Sequence, residues 1–284
     1  MLKRLKLGRS GTTEVPMEGL DVPLVLRRSP RARRYSLQVS EARRSAVLTV
    51  PTYSTLADAE HFLARHMNWL KERLDGLCDP VPFAHGAVIP LRGLAHQLSF
   101  VGPVRRRGVV WIEDTDASSR LAPVWPEGLA GASEDVPRLN VAGEAHHAPR
   151  RLLDWLKRQA QADLRLRVKI HAHRLGLAPK RISVRDQTTR WGSCSSTGTL
   201  SFSWRLILAP PFVLDYLAAH EVAHLEEMNH GPAFWALVAR TMPRQAEAQD
   251  WLHTYGSELH AFGADGVATS DRRESAELRV GTQD

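Results

Sequence analysis

The sequence predicts an α+β fold in which a β-rich N-terminal part is followed by a compact, mainly helical part with a β-hairpin beside its central helix. Two patterns predict this fold. Alternating apolar and polar residues form short runs in the first half of the chain, whereas apolar residues recur every three or four positions along most of the second half. Shifts in composition predict a flexible tail (1–20), a β-rich part (21–142), a helical domain (143–263) and a disordered tail (264–284).

The β-rich part contains five predicted strands, one helix and one insertion. VPLVLRR, RRYSLQVS and SAVLTVP alternate and predict antiparallel strands, and AHQLSFVG and GVVWIED predict two more. STLADAEHFLARHMNWLKERLDGL begins at Ser54 and Thr55, repeats apolar residues at helical spacing and ends near Gly76, which predicts one helix. The segment near 114–137 is rich in Pro, Gly and Ser and predicts an exposed insertion.

The second half of the chain predicts four helices around a hairpin. A long amphipathic helix begins near Ala148 and ends before Gly176. RISVRD, TRWGSC and TLSFSWRL predict strands, the last two joined by a tight turn at residues 195–198. Pro210 and Pro211 open the helix FVLDYLAAHEVAHLEE, and PAFWALVARTM and RQAEAQDWLHTYGSELH predict the last two helices.

Composition excludes several classes of protein. The chain has 284 residues and is 43% hydrophobic, which is typical of a soluble globular protein. No stretch approaches the roughly 18 apolar residues of a membrane helix, and the basic N-terminus lacks the apolar core of a signal peptide. The two cysteines are far apart in sequence, which fits a reducing compartment. We therefore expect a cytoplasmic protein with no membrane partner.

Positive charge is concentrated early in the chain. The net charge is +7, and seven arginines lie between residues 27 and 44. Such a patch can attract a nucleotide, a nucleic acid or another acidic partner. A solvated arginine-rich face is the alternative interpretation, because a charge count carries no geometry.

The strongest functional signal is the pentapeptide His220-Glu221-Val222-Ala223-His224. Histidines four apart on a helix lie on one face, so both imidazoles can bind one Zn²⁺, while the intervening glutamate points toward a water molecule on the metal. The preceding apolar residues predict the helix that this HExxH arrangement requires. The sequence therefore predicts a metal site on this helix.

His230 is the predicted third ligand. A continued helix would rotate it by about 240° from His224, so the chain must turn at Met228 and Asn229, with Asn229 in the left-handed conformation. Glu226, Glu227 or Glu247 is the alternative third ligand. Three bulky apolar residues are expected to shield the site from water: Trp204, Phe234 and Trp235.

Two blocks, RWGSCSSTGTLSFSWRLILAP and VLDYLAAHEVAHLEEMNHGPAFW, resemble the YgjP-like group of metal-dependent hydrolases, which is related to the SprT-like and WLM zinc peptidases. RRSPRARRYSLQVS also resembles that group, and the likeness spans roughly residues 22–262. Two departures stand out. Ser203 occupies a position where asparagine is expected, and Glu227 stands where metzincins carry glycine.

The resemblance and the motif together imply a zincin-like catalytic domain at 143–263 that holds one Zn²⁺ through His220, His224 and His230. The metal would activate a water molecule, and Glu221 would accept its proton and pass it to the leaving group. The implied substrate is a polypeptide, paired with TLSFSWRL as an edge strand. Two alternatives stay open: a nucleotide pyrophosphatase on the same site, and a DNA-associated SprT-like protease or binding module.

Several further side chains are weaker candidates. Five of them are candidates for contacting substrate or stabilising an oxyanion, with a structural role as the alternative for each: Arg190, Trp191, Tyr216, His253 and Tyr255. Cys194 has no cysteine or histidine at a telling spacing, which favours a packing role. His171 and His173 are two apart on a helix and point in different directions, so they cannot share a metal.

Overall fold

The structure is a computed structural model that describes residues 11–15, 22–40, 45–104, 108–113, 123–125, 136–187 and 189–263. The chain divides into two compact units, Met1–Asp79 and Pro80–Asp284, called the N-terminal and C-terminal units below. The C-terminal unit therefore includes residues 80–142, which the sequence grouped with the N-terminal strands. A separate domain at 143–263 stays a prediction. The predicted tail 264–284 and most of the predicted insertion lie outside the described residues.

The N-terminal unit contains one four-stranded sheet in the order β1-β2-β4-β3. Its strands are β1 (Gly11–Val15), β2 (Leu24–Ser29), β3 (Ser36–Ser40) and β4 (Ser45–Pro51). β1 lies within the segment predicted as a flexible tail. It is ordered by backbone hydrogen bonds to β2, with which it pairs antiparallel. The all-antiparallel prediction is wrong for β2 and β4, which pair in parallel because the β2–β3 connection crosses over β4.

Two helices replace the single helix predicted after β4. They are α1 (Leu56–Arg65) and α2 (Met67–Asp75). Thr55 and Asp58 form a capping box that starts α1. The break falls at His66, whose ring Nδ1 lies 2.7 Å from the Phe62 carbonyl oxygen and competes with the helical hydrogen bond there. Both helices bury their apolar faces with those of the strands.

The C-terminal unit contains two sheets. The first has the order β5-β6-β8-β7 and consists of β5 (Val88–Leu91), β6 (Leu94–Val101), β7 (Val110–Glu113) and β8 (Arg138–Ala142). The second has the order β10-β11-β9 and consists of β9 (Arg181–Arg185), β10 (Gly192–Cys194) and β11 (Thr199–Ser203). β10 and β11 form the predicted antiparallel hairpin, and β9 pairs with β11 in parallel.

Four helices pack with these sheets around one large core. They are α3 (Ala148–Leu175), α4 (Pro211–Ala223), α5 (Pro232–Thr241) and α6 (Gln245–Tyr255). α3 ends as predicted at Gly176, whose φ of 73° is the left-handed conformation that glycine adopts without strain. The predicted mixture of sheets and helices is therefore confirmed. Among the described residues, no helix is both long and apolar enough to span a bilayer.

A buried polar network joins α4 and α5 to α3. The fully buried His171 places its Nε2 atom 2.6 Å from an Asp215 carboxylate oxygen and its Nδ1 atom 2.7 Å from the Thr241 hydroxyl. Arg167 binds both oxygens of the same carboxylate. Burial alone would raise the pKa of Asp215, but these hydrogen bonds hold it below the ordinary value. His173 is exposed, so the two α3 histidines do not converge.

Candidate metal centre

Three histidine side chains converge at the C-terminal end of α4. His220 lies in its last turn, His224 caps it, and His230 approaches from the loop that follows. The Nε2 atoms of His220 and His230 are 3.1 Å apart, and one ligand atom from each of the three rings lies within 4.8 Å of the others. The cluster contains no carboxylate, and the Glu247 side chain pairs instead with Arg244. The geometry thus brings together the three histidines and not the alternative glutamates.

The turn that brings His230 back begins at the helix end. The amides of Glu226 and Glu227 both donate to the Ala223 carbonyl, and regular helix gives way to a turn over residues 224–226. The expected left-handed Asn229 is wrong, because Arg92 is the one non-glycine residue with positive φ in the described part of the chain. The reversal is instead spread over residues 224–231, where a short Gly231 N–H to Asn229 carbonyl hydrogen bond of 2.8 Å closes it.

Hydrogen bonds at the far ring nitrogens orient two of the imidazoles. The Nδ1 atom of His224 lies 2.9 Å from the Glu227 carbonyl oxygen and must donate to it, which leaves Nε2 as the free lone pair. The Nδ1 atom of His220 lies 3.2 Å from the Tyr216 hydroxyl, which also accepts a hydrogen bond from the Gln249 amide at 3.1 Å. Partners of this kind set the tautomer and ring orientation of metal-binding histidines.

Aromatic residues cover one side of the cluster. The fully buried Phe234 ring lies 4.4 Å from the ring of His224, 4.9 Å from that of His220 and 4.8 Å from that of His230, centre to centre. The Trp235 ring lies further from the cluster, with its centre 6.0 Å from the centre of the His220 ring. Trp204 does not join them; it is buried against Phe83. Two of the three predicted shielding residues therefore lie at the site.

Glu221 is buried on the adjoining face of α4. The side chain is 3% exposed, and its Oε2 atom has no hydrogen-bond partner in the described part of the chain. Burial raises the pKa of Glu221 to about 8, although the positive charge of Arg190 opposes the shift. A buried, unpartnered carboxyl beside three imidazoles is costly for stability, which marks it as a group retained for chemistry.

The backbone of β10 lies directly over this carboxylate. A Cβ atom added to Gly192 would stand 2.3 Å from the Oε1 atom of Glu221 and 2.8 Å from its Cδ and Cγ atoms. Only glycine leaves room for the carboxylate at this close approach. This contact was not predicted from the sequence, where its one signal is the glycine between Trp191 and Ser193 in the hairpin strand.

Electrostatics keep the cluster ready for a cation. Burial, reinforced by the neighbouring His224 and His230 rings, lowers the pKa of His220 to about 3, and burial also lowers the pKa of His224. Both rings are therefore neutral at neutral pH and present lone pairs. A tetrahedral zinc ion with Zn–N bonds of about 2.0–2.1 Å separates its ligands by about 3.3 Å. The 3.1 Å between the His220 and His230 nitrogens fits such an ion.

Comparison with known proteins agrees with this geometry. A family model described as the YgjP-like metallopeptidase domain matches residues 33–255, which is more than half of the chain. The chain belongs to the YgjP-like metallopeptidase family. This YgjP-like protein is accordingly a metal-dependent hydrolase of the peptidase class. The matched range includes the three histidines, Glu221 and Gly192.

The curated proteins and the solved structures were also compared with this chain. Among curated proteins, none matches this YgjP-like chain. One solved structure, the metallopeptidase zymogen abylysin of Pyrococcus abyssi, is 22% identical over 32% of this chain and 92% of that chain, with a TM-score of 0.30. At that TM-score the likeness carries no argument about this chain.

The weaker candidates of the YgjP-like chain fall into two groups. Arg190 is exposed close enough to Glu221 to act on its charge, and Tyr216 touches His220. Trp191 instead stacks on His260 with ring centres 4.8 Å apart, and Tyr255 packs against Trp251 at 5.6 Å. The exposed His253 makes no contact with the histidine cluster among the described residues. Burial, with a smaller contribution from the Glu221 charge, raises the pKa of Cys194, which disfavours a thiolate nucleophile.

A second group of metal-ligand types lies elsewhere in the YgjP-like chain. Glu144, His146 and His147 have ligand atoms within 4.8 Å of one another, but all three are exposed. They immediately precede the N-terminus of α3, whose positive dipole end repels cations. This surface group lacks the burial and the ordered ring partners of the α4 cluster.

His260, under the Trp191 ring, gives this YgjP-like protein an acid-sensitive element. Burial, aided by the charge of Arg205, lowers the pKa of His260 from 6.5 to about 4. Because the folded pKa is the lower one, the neutral ring stabilises the fold above pH 6.5, and that contribution is lost as the pH falls toward 4. Between these pH values the free energy of unfolding should fall by about 3 kcal/mol through this group.

Urea denaturation of wild type and His260→Gln tests this expectation. The wild type should lose about 3 kcal/mol more than the variant between about pH 7 and pH 4, since glutamine cannot titrate. His173→Gln, at an exposed position of α3, should behave like wild type. Parallel stability curves for wild type and His260→Gln would contradict the assignment.

Proposed function

We propose that the protein is a single-zinc metallopeptidase of the HExxH type, with His220, His224 and His230 as ligands and Glu221 as general base. One observation carries the proposal. Three imidazole nitrogens converge within 4.8 Å beside a buried carboxylate that has no partner in the described part of the chain. Three protein ligands, which leave the fourth position to a water molecule, are the arrangement of catalytic rather than structural zinc.

Glu221, Phe234 and Tyr216 have different roles in the proposed reaction. When bound, zinc supplies a Lewis acid that makes a water molecule acidic and polarises the scissile carbonyl. Glu221 accepts the proton of the attacking water and returns it to the amine that leaves. Phe234 excludes bulk water from one side of the histidines, which strengthens electrostatic interactions there. Tyr216, held by Gln249, keeps the His220 ring oriented, so we assign it to the ligand set rather than to the oxyanion.

The substrate strand is assigned to β10. The first five residues of TLSFSWRL form β11, which lies between β10 and β9, so the expectation that it is an edge strand is wrong. β10 is one of the two edge strands of this sheet, and Gly192 within it lies over Glu221. An extended polypeptide that adds to this edge would pass next to the catalytic carboxylate. Arg190 precedes that strand and is exposed, which suits it to a carbonyl or carboxylate of the bound peptide.

A substrate panel with metal removal tests the proposal. Purified protein should cleave casein or internally quenched peptides, lose that activity when a chelator strips the metal, and regain it with one equivalent of Zn²⁺. The same preparations are assayed for pyrophosphate or phosphate release from nucleoside triphosphates. We expect peptide hydrolysis and no nucleotide hydrolysis, because the described site offers three histidines for one metal, and Arg190 is the one arginine whose charge acts on Glu221.

Two outcomes contradict this proposal in different ways. Metal-dependent release of phosphate without peptide cleavage would keep the metal site and replace the substrate by a nucleotide. Peptide cleavage that persists after complete removal of the metal would remove the metal from the mechanism. Metal analysis of each preparation distinguishes a failed reconstitution from a failed proposal.

A further inference from the structure

The topology of the N-terminal unit gathers positive charge at one end of its sheet. β2 and β3 lie on opposite sides of β4, so the loop of residues 30–35 must cross over the end of β4. That loop carries Arg31, Arg33 and Arg34. The chain leaving β4 at residues 52–54 emerges at the same place, because Ser29 pairs with Pro51. We call residues 30–35 the arginine loop.

The arginine loop is held in place by the residues that leave β4. The Arg28 guanidinium donates to the Ser54 carbonyl at 2.8 Å, and the Tyr53 hydroxyl donates to the Arg33 carbonyl at 3.1 Å. A third hydrogen bond, from Ala32 N–H to the Ser29 carbonyl, closes the turn at 3.2 Å. The loop therefore presents its side chains from a fixed backbone, which lowers the entropy cost of binding a partner.

Within the described part of the chain, the charges on the arginine loop have no counterion. Arg31, Arg33 and Arg34 are exposed, and none forms an ion pair or side-chain hydrogen bond with another described residue. Described residues 22–57 contain no aspartate or glutamate, and Asp58 is engaged with Thr55. Three adjacent cations with no counterion among the described residues favour a polyanionic partner.

An exposed aromatic ring is anchored to the backbone of the same loop. Tyr53 is 77% exposed, although its hydroxyl is anchored to the loop backbone. The ring is thus fixed at one end and open on its faces. Proteins that bind single-stranded nucleic acid combine guanidinium groups, which contact the phosphate backbone, with open aromatic faces, which stack on unpaired bases.

We infer that the arginine loop and Tyr53 form a binding surface for single-stranded nucleic acid. Guanidinium groups contact phosphates, and the Tyr53 ring stacks on a base that is unpaired. A duplex offers phosphates but no free base face, and a membrane surface or sulfated polysaccharide offers no base at all. This inference concerns the N-terminal unit and is independent of the hydrolytic activity proposed for the C-terminal unit.

Fluorescence anisotropy of labelled mixed-sequence oligonucleotides, titrated with the full chain at several salt concentrations, tests the surface. Wild type should bind single-stranded DNA or RNA more tightly than a duplex of the same length. The triple variant R31A/R33A/R34A should bind at least about tenfold more weakly, and its log–log salt slope should be flatter by about two. Tyr53→Ala should lose about tenfold in affinity, whereas Tyr53→Phe should lose clearly less, because the stacking face is retained and only the hydroxyl anchor to the loop is removed.

A matched control separates a surface from bulk charge. R150A/R158A/R165A removes three exposed arginines from α3 and should leave affinity and salt slope unchanged. Equal losses in the two triple variants, or equal binding of single strand and duplex, would overturn the inference. Tighter binding to phosphatidylserine vesicles or heparin than to the oligonucleotides would also overturn it. DNA and RNA arms identify the preferred sugar, and either preference supports the surface.

Discussion

Replacing Glu221 by glutamine is expected to lower kcat for peptide hydrolysis by about 10²–10⁴-fold while zinc remains bound. Glutamine has nearly the same shape as glutamate and fits the same buried space, but it cannot accept a proton. The three histidines that are proposed to hold the metal are untouched, so the zinc content should stay at one equivalent per chain. Steady-state kinetics and metal analysis on the same preparation measure both quantities.

Glu226→Gln is the matched control for this change. Glu226 follows His224 by two residues and is exposed, and it lines a separate surface pocket with Arg240. The control should retain both activity and zinc, which would also exclude Glu226 as a hidden ligand. Full activity in Glu221→Gln would refute the general-base role, and loss of zinc from that variant would show that the carboxylate acts on the metal instead.

Local periodicity explains why most elements were predictable from the sequence. α3 begins and ends within a residue or two of the predicted positions, and α4 begins within one residue of its predicted start, because capping residues and apolar spacing act within one or two helical turns. The α4 helix ends at Ala223, four residues before the predicted end at Glu227. His220 and His224 share a face for the same local reason. The approach of His230 and a turn before it were also expected, but the conformation of that turn was not, because the hydrogen bonds that form it leave no pattern in the sequence.

Contacts between distant segments could not be predicted in this way. Alternation predicts that β2 and β4 are strands, but it carries no information on which strand lies beside which, so their parallel pairing was missed. The Tyr216 hydroxyl accepts a hydrogen bond from Gln249, which lies on another helix. Trp204 packs against Phe83 and not against the histidines. Each of these depends on how elements pack rather than on their own sequence.

Gly192 brings a hairpin strand into contact with Glu221, the proposed general base on α4. Gly192→Ala is expected to lower kcat by about 10²-fold while zinc is retained. The new methyl group would stand 2.3 Å from the Oε1 atom of Glu221, so the carboxylate must swing away. A displacement of about 1 Å at a reacting group can cost that factor in rate. Kinetics should show the loss in kcat rather than in KM.

Gly231→Ala is the control, because a Cβ atom there meets nothing within 4 Å although His230 is its neighbour in sequence. A double-mutant cycle then separates a steric effect on Glu221 from general damage to the hairpin. Gly192→Ala should destabilise the wild type, but it should cost little in a Glu221→Ala background, since the atoms it strikes are gone. Equal destabilisation in both backgrounds would mean that β10, and not the carboxylate, is what Gly192 protects.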